Sequence, residues 1–390
     1  MHAVQRAEQG AVVAVARVLR RFALLVLLPG IAQAAILPED RADVMYHDYD
    51  GGGLQVSGPS ILVRKGFQDR VSVWANYYED MISSASIDVV STGSPYKETR
   101  REYSGGIDFL SGKTIMGAAY IRSEENDYIA NTARFGISQD FFGDLSTLSI
   151  SYGRGWDDVM KNGDPTFDDH KHRQDWRVDL SQILTPNLVL NFGYEGISDE
   201  GYLHDPYRSA RYLDPSSAKG FSYETEVTPH TKMSDAWAIR AMYFLPYRAS
   251  ARFEYRYYSD TWGVDAWNVE LGYVQPISNG LTIDLRYRYY TQTASDFYSD
   301  LYPRQNSQNF LSRDKELSPF SSNTVGMGLT YQLPANFAPF FKRAQMSLFA
   351  DYIMFTYDDF RDVMKGGTVG DEPMYKMDST VLRAFVSFWY

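Results

Sequence analysis

The densest run of groups able to hold a metal or move a proton is Asp164, Asp168, Asp169, His170 and His172. Carboxylate oxygens and imidazole nitrogens together can ligate a divalent cation. An Asp and a His at the rim of a narrow barrel could also serve proteolysis. The spacing fits no metal loop, no second Asp/His pair accompanies it, and solvated loops are acidic as a rule. We therefore read the run as part of a wetted loop before a strand at 174–184 and expect no metal there. A phospholipase would need a Ser, a His and an orienting polar group side by side on one wall. Beyond residue 34 the histidines are His47, His170, His172, His204 and His230, and they fall in loops or in an ambiguous first strand. No catalytic residue is expected. The absence of cysteine removes disulfides, thiolate metal sites and haem attachment, so no cofactor is expected either.

A second set of polar residues is patterned rather than clustered. In Ala251-Arg252-Phe253-Glu254-Tyr255-Arg256-Tyr257 the odd positions are apolar or aromatic and the even ones charged. The next segment sets Trp267, Val269, Leu271 and Tyr273 against Asn268, Glu270 and Gly272, and the one after sets Leu281, Ile283, Leu285, Tyr287 and Tyr289 against Asp284, Arg286 and Arg288. Period two is the signature of a strand with unlike faces. The same logic puts Arg177, Asp179, Arg240, Arg252, Glu254, Arg256, Glu270, Asp284, Arg286, Arg288, Asp351 and Arg383 on the face opposite the apolar row. Lining an aqueous lumen, opposed Arg and acidic walls would favour small polar or charged solutes over apolar ones. Within 240–288, Arg240, Arg248, Arg252, Arg256, Arg286 and Arg288 outnumber Glu254, Glu270 and Asp284, which points to a weak anion preference, although Arg248 falls in a turn. The competing reading is a packed interior plugged by the same ion pairs. A ring of about sixteen strands is too wide for its side chains to meet at the axis, so the lumen is preferred.

Strands of this kind are expected near 54–66, 69–79, 98–110, 114–122, 128–138, 145–153, 174–184, 188–198, 232–244, 250–260, 264–275, 281–292, 322–332, 345–357 and 378–390. A barrel with both ends of its chain on one side needs an even number. Asp43 to Tyr49, before Gly51-Gly52-Gly53, supplies the sixteenth. Fourteen is the alternative, because Pro59 after Gly58 could break the 54–66 segment. The fold class expected is therefore all-β: a transmembrane, antiparallel, up-and-down β-barrel. Its connections alternate between short periplasmic turns such as 111–113, 185–187 and 245–247 and long extracellular loops near 80–97, 154–173, 199–231, 293–321 and 358–377. The link 333–344 is too long for a tight turn and reads as an interfacial segment, or as a docking point for a partner.

Composition agrees with that architecture. Aromatics make up 15% of the chain, yet the mean hydropathy is negative. Both hold when only alternate residues face lipid and aromatic girdles flank the apolar band. No apolar run approaches the length of a membrane helix. Arg17, Arg20 and Arg21 precede the short run Phe22 to Leu28, and Ala32-Gln33-Ala34 follows it, so residues 1–34 read as a signal peptide and 35–390 as the barrel. The mature chain would carry 34 basic and 48 acidic residues, which argues against a nucleic-acid partner.

The last residues, Leu382, Ala384, Val386, Phe388 and Tyr390, alternate up to the carboxylate and resemble the closing strand of a bacterial outer-membrane barrel. That resemblance implies an outer-membrane location in a Gram-negative cell and an assembly signal, in Val386, Phe388 and Tyr390, read by the barrel-assembly machinery. Met45 to Gly53, Gly58 to Lys65, Ser83 to Val90, Ser123 to Tyr128 and Asp205 to Tyr212 are similar to segments of one bacterial family of secreted, barrel-like proteins, a domain of unknown function. The similarity would extend over 39–390 and carries no activity. Two functions follow as expectations. One is a porin-like channel for passive transport of small polar or charged solutes, embedded in outer-membrane lipid. The other is a sheath or scaffold for a lipoprotein or a periplasmic redox partner.

Overall fold

A computed structural model describes residues 35–84, 86, 91, 96–334 and 340–390. The expected leader, 1–34, lies outside the described residues, as do 335–339 of the link 333–344. Sixteen antiparallel strands close into one barrel. In chain order they are β1 Arg41–Gly51, β2 Leu54–Phe67, β3 Val71–Ser84, β4 Tyr96–Ser111, β5 Thr114–Glu124, β6 Tyr128–Phe141, β7 Ser146–Met160, β8 Asp168–Thr185 and β9 Leu188–Gly201. After a small separate hairpin, β10 Ser209–Leu213 and β11 Phe221–Thr225, come β12 Thr231–Phe244, β13 Ser250–Asp260, β14 Asp265–Pro276, β15 Leu281–Gln292, β16 Phe320–Gln332, β17 Arg343–Arg361 and β18 Met374–Trp389.

Closure joins the first and last strands, from Arg41 opposite Trp389 to Gly51 opposite Ser379. The segment 43–49 is therefore a full wall strand, as parity requires. The fourteen-strand alternative fails because β2 runs unbroken through Pro59, which sits opposite Tyr46 of β1. Gly58 makes this possible: a Cβ there would lie 1.7 Å from the Glu79 carbonyl oxygen, so only glycine allows β3 to come so close.

One end of the barrel carries tight turns. At Gly112 and Gly143 the backbone takes φ of 61° and 68°, which glycine adopts without strain. The other end carries the long loops, and here the strands outrun the sequence expectation. β7 continues to Met160 and β8 begins at Asp168, so Asp168, Asp169, His170 and His172 stand on a strand and not in a loop. Above the apolar band the outward face need not be apolar, and the alternation that marks a strand disappears.

Outward residues such as Phe253, Tyr255, Tyr257, Leu271, Leu285 and Tyr287 are exposed. Their neighbours Arg252, Glu254, Arg256, Arg286 and Arg288 face inward, with Asn268 only 3% exposed. Cross-strand pairing carries this parity around the ring, Arg252 opposite Gly272 and Gly272 opposite Arg286. At the closing strand Leu382, Ala384, Val386 and Phe388 share the outward face, and Arg383 points inward. Tyr390 is tied to β2: its hydroxyl donates to the Arg64 carbonyl at 2.8 Å and Lys65 lies over its ring.

Candidate functional site

The inward charges form a belt of ion pairs. Arg177 meets Asp179 at 2.6 Å, Arg240 meets Glu254 at 2.5 Å and Asp179 at 3.7 Å, and Arg252 meets Asp284 at 2.6 Å. Asp351 holds two arginines, Arg286 at 2.5 Å and Arg383 at 2.7 Å. Ten of the twelve residues expected in the lumen thus have a charged partner. The tenth, Arg256, pairs at 2.7 Å with Glu195 of β9, a residue outside the expected set. Counting charges along 240–288 overstated the basic excess because Glu195 and Asp351 arrive from strands distant in sequence. Arg248 stands in the turn between β12 and β13.

Four of these contacts reach over an intervening strand; under Arg256 and Glu195 that strand, β12, carries Ala238 and Ala236, and at the other three crossings it carries glycine. A Cβ on Gly272 would lie 2.8 Å from Arg252 Nε, beneath the bond from β13 to β15. At Gly326 it would lie 2.1 Å from Asp351 Oδ1 and 3.3 Å from Arg286 Nε, beneath the bond from β15 to β17. Gly193 underlies the Asp179 and Arg240 pair, and Gly153 underlies that of Arg134 with Asp175, which meet at 2.9 Å. The missing side chains let each guanidinium lie flat on the wall. An alanine at any of these positions would lift the pair toward the axis or part it.

Glu270 and Arg288 are the two exceptions. They are directly opposite on β14 and β15, yet no ion pair joins them. Arg288 turns toward the loop end, where Nη2 reaches Asn268 Oδ1 at 3.4 Å and the guanidinium lies 5.5 Å from the Tyr290 ring centroid. These residues line a cavity of 440 Å³ with Lys232, Arg256, Tyr258 and Gln292, beneath Glu316 and Leu317 of the loop after β15.

The loops themselves are tightly built. Segment 202–230 reaches both flanks of the mouth: Tyr207 donates to Asp127 in the turn after β5, and Arg211, fully buried, pairs with Glu372 in the loop after β17. It is joined to segment 293–319 by the Val227 and Leu311 backbone bonds and by Arg208 on Asp314. Glu226, 3% exposed, accepts from Ser312 Oγ at 2.9 Å and from the Arg313 amide at 2.8 Å. Burial, with Asp314 close by, pushes its carboxyl up to about 7.

In the acidic run near 164–172 no three ligand groups lie within reach of one another. His170 Nδ1 lies 3.1 Å from Asp158 Oδ1, both exposed, and Asp164 caps its own turn through Thr166. Among the described residues the carboxylates close enough to share an ion are instead Glu98, Glu125 and Asp127. Burial raises both Glu98 and Glu125 above the ordinary carboxyl range. His47, expected to be ambiguous, faces the interior of β1 with Nε2 2.8 Å from Asp80 Oδ1 and its ring stacked on Tyr78. No Ser–His hydrogen bond occurs among the described residues. Period-two alternation could have flagged Asn268 and Tyr290, which share the parity of Glu270 and Arg288; the partnership of Glu195 had no sequence signal.

Fold and wall together define a sixteen-strand β-barrel with an apolar outer face and a charged inner one. The chain belongs to the family described as Protein of unknown function (DUF3570), whose model matches residues 155–354. Of the five segments similar to that family, Asp205 to Tyr212 lies inside that span. No curated protein matches the sequence. Among solved structures the chain is similar to CdiB from Acinetobacter baumannii, at 9% identity and a TM-score of 0.50, covering 90% of this chain and 60% of that one. It is also similar to a bacterial polysaccharide outer membrane secretin, at 8% identity and a TM-score of 0.49, covering 91% and 100%. A FadL homologue from Pseudomonas aeruginosa matches at 10% identity and a TM-score of 0.46, covering 90% of each chain.

Proposed function

We propose that this protein is an outer-membrane channel through which small polar or charged solutes diffuse, without catalysis. Exported by its leader, it would sit with the tight turns and chain ends in the periplasm and the long loops outside the cell. The observation that carries the reading is the belt of ion pairs lying flat over inward glycines. Side chains held against the wall of so wide a ring leave its axis to water. The interlocked loops 202–230 and 293–319 would narrow the entrance. Because the other lumenal arginines of the set are paired, any anion preference rests chiefly on Arg288.

The test is conductance of the purified protein in a planar lipid bilayer. Stepwise currents with a weakly anion-selective reversal potential are expected, and Arg288→Glu should move that potential toward cations. A folded protein that never conducts would refute the channel and favour the sheath for a lipoprotein or periplasmic partner.

A further inference from the structure

The unpaired couple in the upper lumen points to a particular kind of solute. We infer that the cavity bounded by Glu270, Arg288 and Asn268 is a binding station for a small zwitterion of the α-amino-acid type. The inference rests on the channel reading and names the class of solute such a channel would take.

Every other charge on the inner wall of this cavity is satisfied within the protein. Lys232 meets Asp260 at 2.9 Å, Arg256 meets Glu195 at 2.7 Å and Glu254 meets Arg240 at 2.5 Å. Glu270 and Arg288 alone among the twelve expected lumenal residues stay apart, although they occupy the cross-strand position where opposite charges normally close on each other. Arg288 is held away by Asn268 Oδ1 and the Tyr290 ring. That leaves one guanidinium and one carboxylate side by side, each open to a ligand. Asn268 adds a third group: it is 3% exposed, and its amide Nδ2 is buried without an acceptor. A buried donor left unpaired is costly, and a carboxylate next to it would repay that cost.

Recognition then follows from charge and geometry. A solute carboxylate takes the planar fork of Arg288, assisted by Asn268 Nδ2, because guanidinium and carboxylate match in two parallel hydrogen bonds. The ammonium on the adjacent carbon of the same solute falls to Glu270. Tyr258 and Tyr290 supply aromatic walls, and 440 Å³ leaves room for side chains of several sizes. The roof is fixed, since Gln292 Nε2 donates to the Glu316 and Ser318 carbonyls, both at 2.8 Å. A solute bearing a single charge would leave either Glu270 or Arg288 without its partner, which sets the selectivity.

Calorimetric titration of the refolded full-length protein in detergent tests this without requiring conduction. The probes are alanine, propionate, which lacks the ammonium, and ethylamine, which lacks the carboxylate. Alanine is expected to bind at least tenfold more tightly than either. Glu270→Gln should lower alanine affinity about tenfold and leave propionate unchanged, whereas Arg288→Gln should abolish both. Equal affinity of the unsubstituted protein for alanine and propionate, absence of any binding, or indifference of alanine to a folded Glu270→Gln protein would each overturn the station. The comparison of probes on the unsubstituted protein stands even where a variant fails to fold. Conduction without binding would remove the station and keep the channel; binding without conduction would keep the station and remove the channel.

Discussion

Asp351→Asn should weaken the barrel beside its closing strand. Asp351 of β17 accepts from Arg286 of β15 at 2.5 Å and from Arg383 of the closing strand at 2.7 Å, so one carboxylate ties strands on either side of its own. Its side chain is 7% exposed, against 31% and 33% for the two arginines. Breaking a fully buried pair costs about 3–5 kcal/mol. Solvent reaching a third of each guanidinium, and the one amide oxygen asparagine retains, reduce that to about 2 kcal/mol. Apart from Asp351, Arg383 has the Phe349 ring 5.7 Å away, and its Nε is buried without a partner. Gly326→Ala should act through the same contact, because its Cβ would lie 2.1 Å from Asp351 Oδ1. The two substitutions should therefore be clearly less than additive when combined. Urea unfolding in detergent, followed by tryptophan fluorescence and by heat-modifiable migration on a gel, measures both. A cost below about 0.5 kcal/mol for Asp351→Asn would refute the reasoning, since exposed and freely hydrated pairs are worth no more than that.

Tyr255→Arg should cost about 2–4 kcal/mol because the charge would face hydrocarbon in the middle of β13, whereas Arg256→Tyr on the inner face should cost distinctly less. Equal costs in an unfolding titration would contradict the assigned faces. Removing Phe388 to Tyr390 should abolish assembly, because the closing strand would lose its pairing with Arg41 and Ala42 and expose backbone groups to lipid; a truncated protein still running as a heat-modifiable folded band would count against closure at this seam. Glu226 makes the long loops sensitive to pH. Its carboxyl is raised from 4.5 to about 7 by burial, so the folded loops bind the proton more tightly than the open ones. The stability this proton lends them is fully present below about pH 4.5, declines as pH rises through the window from 4.5 to about 7, and is gone above it, a change of roughly 3 kcal/mol. Hydrogen exchange across 202–230 and 293–319, corrected for the intrinsic rate, should be faster at pH 8 than at pH 5, and the difference should shrink in Glu226→Gln to the part due to Asp314, which burial also raises. An unaltered pH profile in that variant would exclude Glu226 as the source.

Alternation within single segments was enough to read the wall from the sequence. Arg252, Glu254 and Arg256 against Phe253, Tyr255 and Tyr257 set both faces of β13, because a residue's side in a strand depends only on its position along the chain. Parity then made 43–49 the sixteenth strand, which the closure of β1 on β18 bears out. The outer ends of β7 and β8 were not legible, since above the apolar band nothing requires the outward positions of Asp168 to His172 to be greasy. Nor was the β10–β11 hairpin, whose short strands pack among loops and carry no lipid-facing row. Tertiary structure alone decided which charges meet. A pair such as Arg256 with Glu195 skips a strand and depends on the stagger of three strands at once, a relation that no local pattern records. The same stagger seats Gly272 and Gly326 beneath their ion pairs, and it leaves Glu270 and Arg288 facing each other unpaired.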